Sequence, residues 1–206
     1  MNSHSLMGMM TRRRGRARPP SVAALTFALM FIGACAAIAA QSWHIDETHT
    51  SIGFTIDATG FPTTRGRFTH YTGRILIDFD RPAKSLTSFT VDSASVDLGS
   101  QPFNDFVKSA ALLNVAKFPT LGFTSTQVEK VDAHTARVLG NLTMIGVTKP
   151  LTLTVNVETD PSAKGRAVAF TATATIKRSD FGMTFGSPII DDAIDITVKT
   201  RALTDE

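Results

Sequence analysis

The stretch VAFTATATI (residues 168–176) decides the fold class of this chain. Its apolar residues and threonines alternate with a period of two, which is typical of a strand with one buried face. The same alternation recurs in residues 52–56, 151–157 and 194–198. Threonine, valine and isoleucine are common in these runs, and their branched side chains suit a pleated sheet. The pattern therefore predicts a chain built mainly of β-strands.

Turn-forming residues separate the alternating runs, as expected for short antiparallel strands. These predicted turns are Gly60-Phe61-Pro62, Asp80-Arg81-Pro82, Thr148-Lys149-Pro150, Asp160-Pro161-Ser162 and Gly186-Ser187-Pro188. Residues 102–113 differ, because their apolar positions fall at helical spacing between Pro102 and Asn114. The fold class predicted is all-β: a single antiparallel β-barrel of about eight strands, with one short lid helix near 102–113.

The interior of such a barrel has two alternative fates. A sheet of about eight strands can bury its apolar face by closing, and its interior then either fills with side chains or holds one small ligand. Alternation alone does not decide between them. The chain has 14 Phe but one Trp and one Tyr, so its aromatic residues supply apolar surface with few polar tips that need partners.

The first forty residues are predicted to be a signal peptide that is removed, which leaves residues 41–206 as one domain. They contain five arginines and no acid, followed by an apolar run from Val22 to Ala40, the arrangement of an export leader. Residues 41–206 then hold 16 of the 21 Lys and Arg and all 18 Asp and Glu. Their slight negative charge argues against a nucleic-acid partner.

Export predicts a periplasmic or secreted protein, by a Sec or a Tat route that the leader leaves undecided. Ile32-Gly33-Ala34-Cys35 is similar to a lipobox, so a lipoprotein anchored through Cys35 is the alternative location. No second apolar stretch of about 18 residues follows the leader, so no transmembrane segment is expected after its removal. Homodimerisation is left open.

Five segments, in order, resemble the YceI family, which is lipocalin-like, polyisoprenoid-binding and found in bacterial periplasm. The most specific is GNLTMIGVTKPLTLTV (140–155), similar to the family's Gly-x-Leu-Thr and Gly-Val-Thr-Lys-Pro hairpin. The others are TRGRFTHYTGRILIDFD (64–80), SVDLGSQPFNDFVKSAALLNVAKFPTLGFTSTQV (95–128), IKRSDFGM (176–183) and GSPIIDDAIDITVKTRA (186–202). The chain departs from the family at Phe106, where a histidine is common, and at Ala111 and Ala193, where acidic residues are common.

The resemblance implies a barrel with a lid helix and an apolar tunnel. The expected function is to bind a long apolar lipid, such as a quinone, a prenyl phosphate or a fatty acyl derivative, as a periplasmic lipid carrier or buffer. The alternatives are a barrel enzyme that acts on an isoprenoid or acyl substrate, and a stress-related interaction module with a filled barrel. No cofactor other than the bound lipid is expected.

The candidate ligand-binding residues fall into three groups. The predicted cavity wall consists of inward positions of the alternating runs: Phe54, Ile56, Phe68, Ile77, Phe89, Val91, Phe123, Leu142, Met144, Leu153, Val155, Phe170, Phe181, Met183, Ile194 and Ile196. The predicted lid residues are Phe103, Phe106, Val107 and Leu113, and the predicted head-group residues are Asn104, Asp105, Lys108, Arg178 and Asp180.

The sequence gives little indication of catalysis. His44 and His49 lie five residues apart, and His70 and His134 stand alone in other segments. No Gly-x-Ser-x-Gly, phosphate-binding loop or His-x-x-x-His occurs. We therefore predict neither catalytic residues nor a metal site, and expect the protein not to be an enzyme.

Overall fold

A computed structural model describes residues 41–45, 47–78, 80–158 and 167–204. The predicted leader at 1–40, with Cys35, lies outside these residues, as does the predicted turn at 160–162. Eleven strands and one α-helix form within the described residues. They are β1 (Gln41–Ile45), β2 (Ser51–Ala58), β3 (Phe61–Phe68), β4 (Tyr71–Ile77), β5 (Leu86–Asp92), β6 (Val96–Asp97), α1 (Gln101–Lys108), β7 (Thr120–Lys130), β8 (Thr135–Met144), β9 (Val147–Val157), β10 (Ala167–Lys177) and β11 (Ile190–Thr204).

The strands form one curled antiparallel sheet whose pairing runs around a barrel. β1 pairs with β4 on one side and with the last residues of β11 on the other. β2 pairs with the first part of β11, and β1 pairs with its last residues. In a similar way β4 pairs with β5, and β3 pairs with β6. The consecutive strands β1 and β2 thus act as one long, interrupted strand, and so do β3 and β4, and β5 and β6. The predicted fold class, an all-β antiparallel barrel with a short helix, is confirmed.

The hairpin of β8 and β9 turns at two residues. Ile145 and Gly146 have φ angles of 51° and 74°, and a two-residue hairpin turn of this kind requires positive φ at both central positions. The prediction of a turn at Thr148-Lys149-Pro150 is wrong, because these residues lie in β9 and pair with β8. Pro150 is tolerated there because the described pairing of β9 with β10 begins only at Thr154, which leaves one edge of the strand open.

The helix α1 is shorter than the predicted 102–113 and ends at Lys108. Ser109 ends it: its hydroxyl and its backbone N–H both donate to the carbonyl oxygen of Phe106, at 2.7 and 3.1 Å. A serine that bonds to nearby backbone competes with the helical pattern. The chain then continues in turns, and Leu113 returns to contact α1 through a hydrogen bond to the Val107 carbonyl.

The barrel has two distinct ends. We call one the lid end: it carries α1, the turn between β2 and β3, and the segment 182–189. We call the other the hairpin end: it carries the loop 78–85 between β4 and β5 and the turn 131–134 of the β7–β8 hairpin. Among the described helices, none has the length and apolarity that crossing a bilayer requires.

Candidate functional site

A cavity of about 850 Å³ lies inside the barrel. Alternation places one side of each strand inward. Counting each interrupted pair as one strand, the barrel has eight strands, a ring wide enough to hold a ligand. Fifteen of the sixteen predicted wall residues line the cavity, and Phe181, which is buried, does not. All four predicted lid residues line it as well. The lining is therefore largely apolar, and it runs from the lid end to the hairpin end.

Two phenylalanines of the wall lie over glycines of a neighbouring strand. Phe54 of β2 faces Gly66 of β3, and a Cβ added to Gly66 would come closer than 3.0 Å to three atoms of the Phe54 ring. Phe123 of β7 covers Gly140 of β8 in the same way, with its Cζ at 2.5 Å from an added Cβ. Each ring occupies the space of a missing side chain, which leaves more of the barrel interior open.

Exposed apolar side chains surround the cavity at the lid end. They are Phe61, Phe103, Phe106, Phe185 and Ile189, and all five line the cavity. Phe106 of α1 and Phe185 meet edge to face, with ring centroids 5.1 Å apart, a favourable geometry for aromatic pairs. This contact joins the helix to the segment 182–189. We call these five side chains the apolar rim.

Arg178 holds the segment 182–189 in place. It follows β10, lines the cavity and is only 3% exposed. Its Nη1 donates to the carbonyl oxygens of Met183 and Phe185, both at 2.7 Å. Its Nε and Nη2 donate to the carbonyls of Asp191 and Ile190, both at 2.8 Å. No ion pair among the described residues includes Arg178, so four carbonyl dipoles stabilise this buried charge.

The hairpin end contributes Asp78, Lys130 and Asp132, three of the five Asp, Lys and Arg residues of the lining. Asp78, which is 6% exposed, accepts hydrogen bonds from the backbone N–H and Nε of Arg81 at 2.8 and 2.9 Å. Asp132 accepts from the backbone N–H groups of His134 and Thr135, both at 2.8 Å. The bond from His134, the largest contribution, lowers the pKa of Asp132 from its ordinary value. These carboxylates stabilise the two loops that border the cavity.

The predicted head-group residues are placed differently from one another. Arg178 lines the cavity, whereas Asn104, Asp105, Lys108 and Asp180 lie outside its lining. Asn104 instead accepts from the backbone N–H of Leu98 at 2.7 Å and anchors α1 to the preceding loop. Asp105 accepts from Gln101 at 2.8 Å on the exposed side of the helix. Asp180 is exposed.

Several lining residues were not among the predicted sites. Phe61, Phe185 and Ile189 of the rim and Asp78 and His134 of the hairpin end all line the cavity. They lie in or beside turns, where alternation no longer indicates which side faces inward. Within the described part of the chain, no three His, Cys, Asp or Glu side chains come together as a metal site would require.

The sequence matches the model of a known family over most of its length. The YceI-like domain matches residues 43–202. Protein YceI of Escherichia coli is 31% identical over 187 residues, which span 89% of this chain and 97% of that protein.

The fold is also similar to solved structures. Burkholderia cenocepacia BcnA has a TM-score of 0.70 at 24% identity, covering 76% of this chain and 98% of that one. A polyisoprenoid binding domain from Saccharophagus degradans, implicated in plant cell wall breakdown, has a TM-score of 0.64 at 14% identity, covering 80% and 99%. These two likenesses concern the fold, while the family match and the E. coli relative identify the lineage: the chain belongs to the YceI-like family.

Proposed function

We propose that the protein binds a long apolar lipid, a polyisoprenoid or a related acyl chain, inside the barrel and serves as a lipid carrier or buffer outside the cytoplasm. The cavity of about 850 Å³ is the observation that carries this proposal. It lies in the upper part of the range of about 300–1,000 Å³ found for small-molecule sites. The family, and the polyisoprenoid-binding name of one structural neighbour, support the same ligand class. The location rests on the predicted leader alone.

Burial of the chain supplies the binding energy in this proposal. Each methylene moved out of water contributes about 0.8 kcal/mol, so a dozen contribute about 10 kcal/mol. Loss of free motion and ordering of the chain cost about 4–15 kcal/mol. The two are of similar size, so affinity depends on how much of the chain the cavity covers. We therefore infer selection by chain length and width.

Binding, as opposed to catalysis, is supported by the contacts that three charged lining residues already make. Asp78 is engaged with Arg81, and Asp132 holds the turn before β8. Arg178 has four of its five N–H groups donated to backbone carbonyls. A general acid or base needs to reach a substrate atom, and these groups are committed to the barrel's own loops.

The test is lipid uptake with a plugged cavity. Ala172 lines the cavity in β10, and its neighbour Thr173 is exposed on the outer face. We expect Ala172→Trp to lower the amount and chain length of bound lipid, because the indole occupies the tunnel. Thr173→Trp adds the same ring outside and should bind as the wild type does.

The protein and both variants are expressed with residues 1–40 in an exporting bacterium and purified as the host processes them. Native mass spectrometry measures co-purified lipid and uptake of added polyprenols of graded length, and circular dichroism verifies folding. A folded wild type that neither carries lipid nor takes up any polyprenol would refute the proposal. So would equal uptake by the Ala172 and Thr173 variants.

A further inference from the structure

The exposed large apolar side chains of the described residues are concentrated at one end of the barrel. Five of the seven form the apolar rim at the lid end, with Phe61 and Phe103 exposed by 68% and 63%. The other two, Leu86 and Val131, are each exposed by 54% and belong to the hairpin end. Contiguous exposed apolar side chains indicate a surface that meets something other than water.

The rim differs from an ordinary surface patch because it continues into the cavity. All five side chains line the cavity as well as facing solvent. An apolar surface thus runs from the barrel interior to the outside of the lid end. At the hairpin end, by contrast, Leu86 is the one exposed large apolar side chain of the described residues that lines the cavity, and the exposed Lys130, Asp132 and His134 line it as well, so a passing chain there would meet polar and charged groups.

We propose that the apolar rim docks onto the surface of a phospholipid bilayer, with its side chains inserted among the lipid chains. This inference rests on the proposed lipid-binding function and adds the surface from which the lipid is collected. A long apolar chain crosses water only at a high cost per methylene. A rim seated in the bilayer gives that chain a continuous apolar path into the cavity.

A bilayer explains the arrangement better than a protein partner does. A partner protein covering the rim would close the cavity mouth and would have to supply an apolar path of its own. The charged residues beside the rim include both signs, such as Asp57, Asp105 and Lys108. Attachment is therefore expected to depend on apolar insertion and to change little with salt or with the charge of the lipid.

The experiment is flotation with phosphatidylcholine vesicles of the protein as processed by an exporting host. Phe61→Ser and Phe103→Ser are each compared with Val131→Ser, which removes an exposed apolar side chain at the hairpin end that does not line the cavity. Burying a phenylalanine contributes enough to change a partition constant by about tenfold or more. We expect that loss for each rim variant, and wild-type partitioning for the Val131 variant.

Four results would overturn the inference. Rim variants could float as the wild type does, or the Val131 variant could lose as much as they do. Binding could require phosphatidylglycerol and vanish at high salt, which would assign it to charges. Rim-dependent self-association in sedimentation without vesicle binding would assign the rim to a second copy of the chain.

Lipid content, measured on the same preparations by native mass spectrometry, separates this inference from the proposed function. Protein that carries lipid but whose flotation with vesicles does not depend on the rim residues contradicts docking and leaves the proposed lipid binding in place. Protein that takes up no lipid in any form contradicts the proposed function itself. Circular dichroism of each variant establishes that a lost interaction is not a lost fold.

Discussion

Replacing Arg178 with methionine tests how the lid end is held together. The substitution keeps a long apolar stem but removes the donors to four carbonyl oxygens at 2.7–2.8 Å. A hydrogen bond to a charged group contributes about 1.5–3 kcal/mol, so four amount to about 6–12 kcal/mol gross. Removing the guanidinium also removes the cost of burying its charge, several kcal/mol. The expected net loss is about 3–5 kcal/mol in the free energy of unfolding.

Urea unfolding followed by circular dichroism measures this loss. With a slope of about 1–3 kcal/mol per molar urea, the midpoint should fall by about 1 M or more. Arg137→Met is the control, because Arg137 is exposed and its ion pair with Glu129, at 3.4 Å, is worth at most about 1 kcal/mol. Arg178→Lys keeps the charge but lacks the planar fork, so it should recover only part of the stability.

Two outcomes would refute this account of Arg178. If the free energy of unfolding of Arg178→Met is within about 1 kcal/mol of the wild-type value, the four carbonyl contacts do not hold the segment 182–189 as inferred. If Arg178→Lys is as stable as the wild type, the buried charge matters and the geometry of the guanidinium does not. Hydrogen exchange of the Ile190 amide, which donates to Gly186, reports whether this segment loosens before the barrel does.

Two further predictions concern the wall and the acid side of the stability curve. Gly66→Ala should push the Phe54 ring into the lumen, cost about 1–3 kcal/mol and shorten the longest polyprenol bound in native mass spectrometry. Gly122→Ala, where an added Cβ meets nothing closer than 3.9 Å, is its stability control, and equal losses would contradict the prediction. The hydroxyl and then the backbone N–H of Ser179 lower the pKa of Asp192 below its ordinary 3.8. That stabilisation is present above pH 3.8 and lost as pH falls through the lower folded value, so Asp192→Asn should flatten the decline in acid unfolding curves, and an unchanged slope would contradict it.

The strand interiors could be predicted from the sequence because their burial depends on a local alternation. Phe54, Phe89 and Ile196 face inward as the period of two requires. The helix was predicted too long because apolar spacing continues past Ser109, whereas a single hydroxyl bonded to the Phe106 carbonyl ends it. The spacing of apolar residues indicates which face of a segment is apolar. It does not indicate which backbone carbonyls accept a hydrogen bond from a side chain.

The ends of the barrel could not be predicted in the same way. Phe61 and Phe185 lie in or beside turns, so no alternation indicates that both line the mouth. A period of two would place Asp78 on the side opposite the inward Ile77, yet Asp78 is buried because the loop returns Arg81 to it. Arg178 was predicted as a head-group residue. Its N–H groups donate to the backbone carbonyls of Met183 and Phe185, in a segment that follows it in sequence. Each of these depends on contacts made only after closure.

Whether the interior is open or filled follows from which residues face each other, and not from how apolar the strands are. A phenylalanine whose ring meets a large neighbour on the next strand must extend across the barrel, whereas one whose ring lies over a glycine, directly opposite or diagonally, can lie along the wall. Phe54 with Gly66 and Phe123 with Gly140 are of the second kind. The same apolar composition with alanines at those two glycines would fill more of the lumen. In the proposed function, the capacity to hold a chain therefore depends on a few contacts between rings and glycines of neighbouring strands, and the side from which the chain enters depends on the apolar rim that only the lid end carries.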